Sequence, residues 1–317
     1  MSTPLVEVKN LKKFFKTPKG MLHAVDDINL QINAGTTLGI VGESGCGKTT
    51  LGRLILRLID VTDGEIFFKG NNILNYNKKQ MKDLRPKMQL IFQDPYSSLD
   101  PRKSVEELIG EPLRIYKKNT DKNAYYNRIA ELMRTVGVAE RYAHSYPHEL
   151  DGGRRQRIGV ARALALNPDF IVCDEPVSAL DVSIQAQILN LLMDLQDQHG
   201  LAYMFITHDL SVVKHISHEI AVMYLGQCVE YAPTKKLFKN PMHPYTQGLL
   251  DAVPIPSLGG KKLSHQLIMG ELTSPIEPKP GCRFAPRCPK ASEKCKGVDI
   301  PFKKIDEGHF VACTLYN

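Results

Sequence analysis

The sequence has no apolar run of the roughly 20 residues that a membrane-crossing helix requires, and stretches such as "PDFIVCDEP" stop far short of it. Its opening, "MSTPLVEVKN", lacks the apolar segment of a secretory signal. An intracellular chain is therefore expected, reaching a membrane only through a partner. There is no internal repeat and no low-complexity tract, so a repeat architecture is not expected. Charge of one sign is not gathered into a block either. The formal net charge of +7 is spread along the chain, which selects neither a small anion, nor a membrane surface, nor nucleic acid. What is present is ordinary for a folded protein. Hydrophobic residues make up 43% and charged residues 24% of 317 positions, enough for one large domain or two smaller ones with a real core.

Residues 1 to about 235 alternate short β-rich runs with helical patterns. "TLGIVGESGCGKTTLGRLIL" reads as a buried strand, a glycine loop and a helix; "PDFIVCDEP" and "LAYMFITHDL" read as two further buried strands. Between those two, "SIQAQILNLLMDLQDQHG" spaces its apolar residues as a helix does and ends on a glycine. Such alternation predicts an α/β fold with a mostly parallel sheet covered on both faces. The stretch from about Asp83 to Leu150 is helix-rich, with "NAYYNRIAELMRTVGV" between turn-formers, and looks like an insertion. Beyond about Pro241, proline and glycine punctuation predicts an extended appendage with little regular structure.

"GESGCGKT", Gly42 to Thr49, matches G-x-x-x-x-G-K-[ST] between a predicted strand and a predicted helix. Gly42, Glu43, Ser44, Gly45, Cys46 and Gly47 supply a backbone that can wrap phosphates, and the helix that follows turns its N–H groups toward them. Lys48 is placed to reach the β and γ phosphates, Thr49 to offer its hydroxyl to Mg²⁺, and Thr50 continues the helix start. The competing reading is a glycine turn with a chance lysine. "FIVCDEP" ends a strand in Asp174, suited to hold Mg²⁺ through water. Glu175 follows, suited to orient or deprotonate an attacking water; alone, the two could be solvated acids at a strand end. His208, in "FITHDL", stands at another strand end. A lone histidine there is more often structural, but strand ends of such sheets collect ligand groups, and an imidazole could stabilise charge on a γ-phosphate. Gln93, in "LIFQDP", could bind Mg²⁺ or the attacking water.

Together these elements resemble an ABC-type ATPase. The order runs Walker A at Gly42 to Thr49, Q-loop Gln93, signature at Leu150 to Arg154, Walker B with Asp174 and Glu175, the "SALD" D-loop at Ser178 to Asp181, and switch His208. Phe15, in "LKKFF", falls where the family keeps an aromatic to stack on adenine; a core phenylalanine is the alternative. More narrowly, "FQDPYSSLDPR", "DEPVSALDVSIQAQILNLL", "VMYLGQCVE" and "HPYTQGLL" are similar to the ATP-binding subunits of dipeptide/oligopeptide importers, the F-type paralogue most of all. The resemblance implies a P-loop NTPase cassette over residues 1–240, with a RecA-like parallel-sheet core, an antiparallel β subdomain and a helical subdomain at about 94–165. A cysteine-rich irregular extension would occupy 241–317. It also implies partners: a paralogous ATPase in a head-to-tail dimer, two permease subunits, and through them an extracytoplasmic peptide-binding protein, with no nucleic acid. The chain would then be peripheral, on the cytoplasmic face of the membrane, and would bind ATP and Mg²⁺.

Seven cysteines are present, and Cys282, Cys288, Cys295 and Cys313 crowd the last 36 residues at spacings x5, x6 and x17. These match neither a zinc knuckle nor the ferredoxin run. Four thiolates on proline-constrained loops could hold a metal or a cluster, and the resemblance implies a 4Fe–4S cluster. Zinc, or free or disulfide-forming cysteines, remain alternatives.

One motif departs from the family. Where the signature reads Leu-Ser-Gly-Gly-Gln, this chain keeps Leu150, Gly152 and Gly153 but has Asp151 for serine and Arg154 for glutamine. An ionised carboxylate about 4 Å from a phosphate charge would repel it by roughly 4 kcal/mol at an effective dielectric of 20. The expectation is a weakened site where this signature serves the partner's nucleotide, with Arg154 offsetting part of the repulsion. The other outcome is that Asp151 turns aside and the glycine N–H groups suffice. Two further functions compete: a regulatory cassette with poor hydrolysis, and a soluble ABC ATPase of DNA repair or translation.

Overall fold

The computed structural model describes residues 3–94, 96–116, 121–252 and 274–316. The proline-rich "VPIPSLGGKK" segment begins at 253 and lies outside them. Along the chain come β1 (Val6–Thr17), β2 (Gly20–Ile32), β3 (Thr37–Val41), α1 (Lys48–Ile55), β4 (Asp63–Phe68) and β5 (Asn71–Asn72). Then follow α2 (Lys78–Leu84), β6 (Met88–Ile91), α3 (Val105–Tyr116), α4 (Lys122–Thr135), α5 (Gly152–Leu164) and β7 (Phe170–Asp174). The chain continues through α6 (Val182–His199), β8 (Ala202–Ile206), α7 (Leu210–Ile216), β9 (Glu219–Tyr224) and β10 (Gln227–Pro233). It closes with α8 (Thr234–Lys239), α9 (Pro244–Asp251), β11 (Lys303–Asp306) and β12 (His309–Val311). Among the described residues, no helix is long and apolar enough to cross a membrane.

The chain divides into two compact units. The first comprises Met1–Ile32, Thr37–Leu74 and Phe205–Asn317, the second Asn33–Thr36 and Asn75–Met204. In the first unit, β2-β1-β4-β5 form an antiparallel sheet. A second sheet runs β11-β12-β10-β9-β3 and on to the end of β8. Here β3 pairs parallel to β9, from Leu38 opposite Glu219 to Val41 opposite Val222. All five residues of β3 are buried, which is why "TLGIV" shows no polar alternation: both of its faces are covered.

In the second unit β6 and β7 pair in parallel, Met88 opposite Phe170 through Ile91 opposite Cys173. Helices α3, α4 and α5 pack on one another, and α5 also packs on β6. Helix α4 starts where Asp121 accepts hydrogen bonds from the N–H groups of Asn123 and Ala124. Helix α6 stops at Gly200, whose φ of 64° belongs to the left-handed region.

The tail has more regular structure than its proline and glycine content suggests. β12 pairs antiparallel with β10, placing Val311 opposite Glu230, and β11 pairs with β12. The anchor is Glu230, fully buried on β10. Its carboxylate accepts from the N–H groups of Met242 and His243, each at 2.8 Å, and meets His309 Nε2 at 2.8 Å. One side chain thus fixes both the entry to α9 and the strand that ends the tail. Glu230→Ala would leave two buried N–H groups and an imidazole without their acceptor. It should lower stability by about 3 kcal/mol or more, read as a fall in the urea-unfolding midpoint.

Candidate nucleotide site

The first unit carries the phosphate loop. β3 delivers the chain into Gly42, whose φ of 151° is one that L side chains rarely adopt. A Cβ at Gly42 would lie 2.1 Å from the carbonyl oxygen of Met223, and one at Gly47 (φ 103°) 2.0 Å from that of Ala24. Only glycine fits either place. Gly47 then caps α1, whose first turn holds no acidic residue, so no carboxylate in it opposes an anion at the positive dipole end. Lys48 folds back into the loop, its Nζ donating to the carbonyls of Gly42 at 2.8 Å and Glu43 at 2.9 Å. Cys46 is buried beneath, and burial pushes its thiol pKa up. Ser44 and Gly45 are exposed at the tip; Thr49 and Thr50 are half-buried in the first turn of α1.

His208 emerges beside this loop. The N–H of Thr207 donates to the carbonyl of Ile40 at 3.1 Å, so the end of β8 lies against the strand that feeds the glycines. The next residue, His208, is exposed, and Asp209 then caps α7 by accepting from Ser211 N–H at 2.8 Å. Phe15, on β1, is 37% exposed with Lys13 Nζ 5.0 Å from its ring centre, so it is not a core phenylalanine.

The second unit gathers the remaining motif residues. Asp174 ends β7 and is buried. Glu175 has a φ of 46°, a left-handed conformation that costs a non-glycine residue of order 1 kcal/mol and is held by its surroundings. Its carbonyl accepts from Ser178 N–H at 3.3 Å and Ser178 Oγ at 3.1 Å, and its carboxylate accepts from Gln93 Nε2 at 3.0 Å. The Q-loop glutamine and the strand-end glutamate are thereby brought together.

Asp151 is the N-cap of α5. Its Oδ1 accepts from Arg154 N–H at 2.8 Å, and its Oδ2 is paired with the Arg154 guanidinium. Arg154 in turn lies 4.9 Å from the centre of the Tyr142 ring. A Cβ at Gly152 would meet Leu180 at 3.1 Å and one at Gly153 would meet Ile184 at 2.8 Å, so the signature glycines pack against the D-loop and the start of α6.

The four tail cysteines belong to the first unit and line one cavity together with His243. All seven cysteines are free thiols. Burial pushes the pKa of Cys282 up to about 11, and its neighbours Cys295, Cys313 and Cys288 add to the shift. Among the described residues, no three His, Cys, Asp or Glu side chains are grouped to hold a metal ion. His243 is 1% exposed, and burial pushes its pKa down to about 4, so the ring is neutral. Its Nδ1 accepts from Tyr245 N–H at 3.1 Å, which puts the ring proton on Nε2; that buried atom has no hydrogen-bond partner among the described residues.

The contacts around Glu43 have no signature in the sequence. Its carboxylate accepts two hydrogen bonds from Arg287, at 2.7 and 3.0 Å, and its N–H donates to the hydroxyl of Tyr245 at 2.9 Å. Arg287 stands 244 residues away in the chain. The only local hint was its place beside Cys288. His243 and Glu230 were missed for the same reason, since each acts through partners remote in sequence.

Comparison with known proteins points one way. A family described as "ABC transporter" matches residues 25–178, and one described as "Oligopeptide/dipeptide transporter, C-terminal region" matches 229–295. A putative oligopeptide transport ATP-binding protein of Bacillus subtilis is 48% identical over 99% of this chain and 96% of its own length. A dipeptide transport ATP-binding protein of Haemophilus influenzae is 46% identical over 98% of this chain and 97% of its own. Among solved structures, a dimeric ATP-binding cassette in a post-hydrolysis state with ADP and Pi superposes with a TM-score of 0.67 at 29% identity, covering 72% of this chain and 98% of that one.

Proposed function

The chain belongs to the ABC transporter family, among its oligopeptide and dipeptide transport ATP-binding proteins, and from that premise we propose that it hydrolyses ATP to drive uptake of dipeptides or oligopeptides. The observation that carries this is the phosphate loop, with the Lys48 amine held at its centre ahead of the N-terminus of α1. The assembly we propose is a head-to-tail pair with a paralogous ATPase, docked peripherally on the cytoplasmic side of two permease subunits that receive peptide from an extracytoplasmic binding protein. Each ATP would lie between the Walker A loop of one ATPase and the signature of the other.

Within that assembly, Gly42 to Thr50 wrap the phosphates and Phe15 stacks on adenine. Thr49, Gln93 and Asp174 hold Mg²⁺, directly or through water. Glu175 orients and deprotonates the attacking water. The Gln93 hydrogen bond to its carboxylate supports this reading, since it keeps the carboxylate aimed and ties it to the Q-loop. His208 stabilises charge developing on the γ-phosphate.

The geometry of Asp151 favours a working signature over a degenerate one. Both of its oxygens are engaged by Arg154, which leaves the N–H groups of Gly152 and Gly153 as the donors to the partner's nucleotide. The two side chains are about half exposed, so solvent limits the pair's own stabilisation to under about 1 kcal/mol. Its effect is to turn the carboxylate's charge toward a guanidinium and into a helix cap.

For the tail we propose a 4Fe–4S cluster held by Cys282, Cys288, Cys295 and Cys313. The thiols of such a cluster bind different iron atoms and stand farther apart than four ligands of one ion. That the four thiols line one cavity supports this reading. The Nε2–H of His243, without a hydrogen-bond partner among the described residues, fits the same reading, because a sulfur would supply its acceptor. When bound, the cluster would cross-link the loops of an extension that has little core of its own.

Three measurements test these assignments. Glu175→Gln in the assembled transporter should cut ATP turnover by about 100-fold or more and abolish peptide uptake while MgATP binding persists; undiminished turnover would remove Glu175 from its role. Asp151→Ser should leave turnover within about fivefold, the scale of an exposed pair, whereas a gain well beyond that would mean that the carboxylate obstructs the partner's site after all. Anaerobically purified chain should contain iron and acid-labile sulfide in equal amounts, and stoichiometric zinc in their place would overturn the cluster.

A further inference from the structure

The cysteine-bearing loop reaches the phosphate loop directly, through Arg287 and Glu43. Phe284 is 1% exposed and packs edge-on against Tyr224 and, tilted, against Tyr245, with ring centres 5.3 Å from each. Its carbonyl accepts from the N–H of Arg287 at 2.9 Å, closing a tight turn that leads straight into Cys288. Arg287 therefore has little freedom. Its side chain is 7% exposed, and both terminal nitrogens donate to the two carboxylate oxygens of Glu43. A guanidinium paired in this forked way fixes direction as well as distance.

Glu43 is held from three sides. Its carboxylate is bound by Arg287, its N–H by the Tyr245 hydroxyl, and its carbonyl by the amine of Lys48. The same residue thus joins the tail to the lysine that faces the phosphates. It also places a negative charge in a loop built to receive a polyanion, and Arg287 is the cation that neutralises it.

We propose that Arg287 is a positioning residue for the nucleotide, through which the four-cysteine site holds the phosphate loop and sets its affinity for nucleoside triphosphate. The inference rests on the reading of residues 42–49 as the ATP site. With Arg287 in place, the carboxylate of Glu43 is turned to the tail and the loop keeps its shape. With Arg287 withdrawn, the loop loses that restraint and the charge faces the phosphates. Distortion at the cysteine site moves Arg287 because Cys288 is the next residue.

The test measures binding of a fluorescent ATP analogue, with Mg²⁺, to the anaerobically purified full-length chain, together with its iron and sulfide content. Arg287→Ala should raise Kd by about five- to 150-fold, the range of a typical coupling between sites, without loss of iron. Arg287→Lys, which keeps the charge but not the fork, should fall between. Adding Glu43→Gln to Arg287→Ala should bring Kd back toward the unsubstituted value, since the unpaired charge is then gone; a purely structural defect would not be rescued in this way. Cys288→Ser should also raise Kd, but not further in an Arg287→Ala background. An unchanged Kd in Arg287→Ala, an absence of rescue by Glu43→Gln, or equal effects of Cys288→Ser in both backgrounds would overturn the proposal. Failure of the ATP reading itself would look different: the unsubstituted chain would not bind the analogue, and Lys48→Ala would change nothing. If no preparation contains iron or sulfide, the cluster assignment falls, while the Kd values still decide the role of Arg287.

Discussion

Two carbonyl oxygens, those of Ala24 and Met223, sit so close to Gly47 and Gly42 that a methyl group on either glycine would collide with backbone. The shape of the phosphate loop follows from that crowding. The loop is pressed between β2 at Ala24 and the end of β9 at Met223, and its turns can be made only with left-handed backbone. So constrained, it leaves the Gly42 and Glu43 carbonyls in reach of the Lys48 amine and starts α1 directly after the loop. The parallel pairing of β3 with β9 serves the same end, because it brings Met223 alongside the strand from which the loop departs.

Much of this was legible in the sequence, for reasons that differ by element. The loop could be read because glycines, lysine and threonine sit at fixed offsets between a buried strand and a helix, and contiguous motifs of that kind survive any tertiary context. Strands β3, β7 and β8 announced themselves as unbroken apolar runs, and α6 by its spacing and terminal glycine. The tail was harder. Its proline content concealed β11 and β12, since two short strands are recruited by the edge of β10 and not by their own propensity. The role of Asp151 was ambiguous for another reason. A carboxylate there repels phosphate or caps a helix depending on one rotamer, and the rotamer is set by Arg154 and not by the motif.

The pairing of Glu43 with Arg287 and the burial of Glu230 share a form. In each, an acid on the cassette is answered by groups from the tail, so the tail is fastened by charge-assisted hydrogen bonds with direction and not by apolar area alone. Apolar contact contributes as well, through Phe284 among Tyr224, Tyr245 and Val222. This explains how a segment with little core of its own can still be held in a defined orientation beside the loop.

The two short strands at the end of the chain have a consequence beyond architecture. β12 occupies the hydrogen-bonding margin of β10, and β11 outside it is exposed throughout and carries Lys303 and Lys304. Lysines on a short outermost strand discourage a second molecule from docking there. Loss of the last fifteen or so residues, by proteolysis or a premature stop, would strip that guard and leave the bare ladder of β10 facing outward. The truncated chain would then be adhesive toward its own kind, and its failure would appear as aggregation before it appeared as lost catalysis.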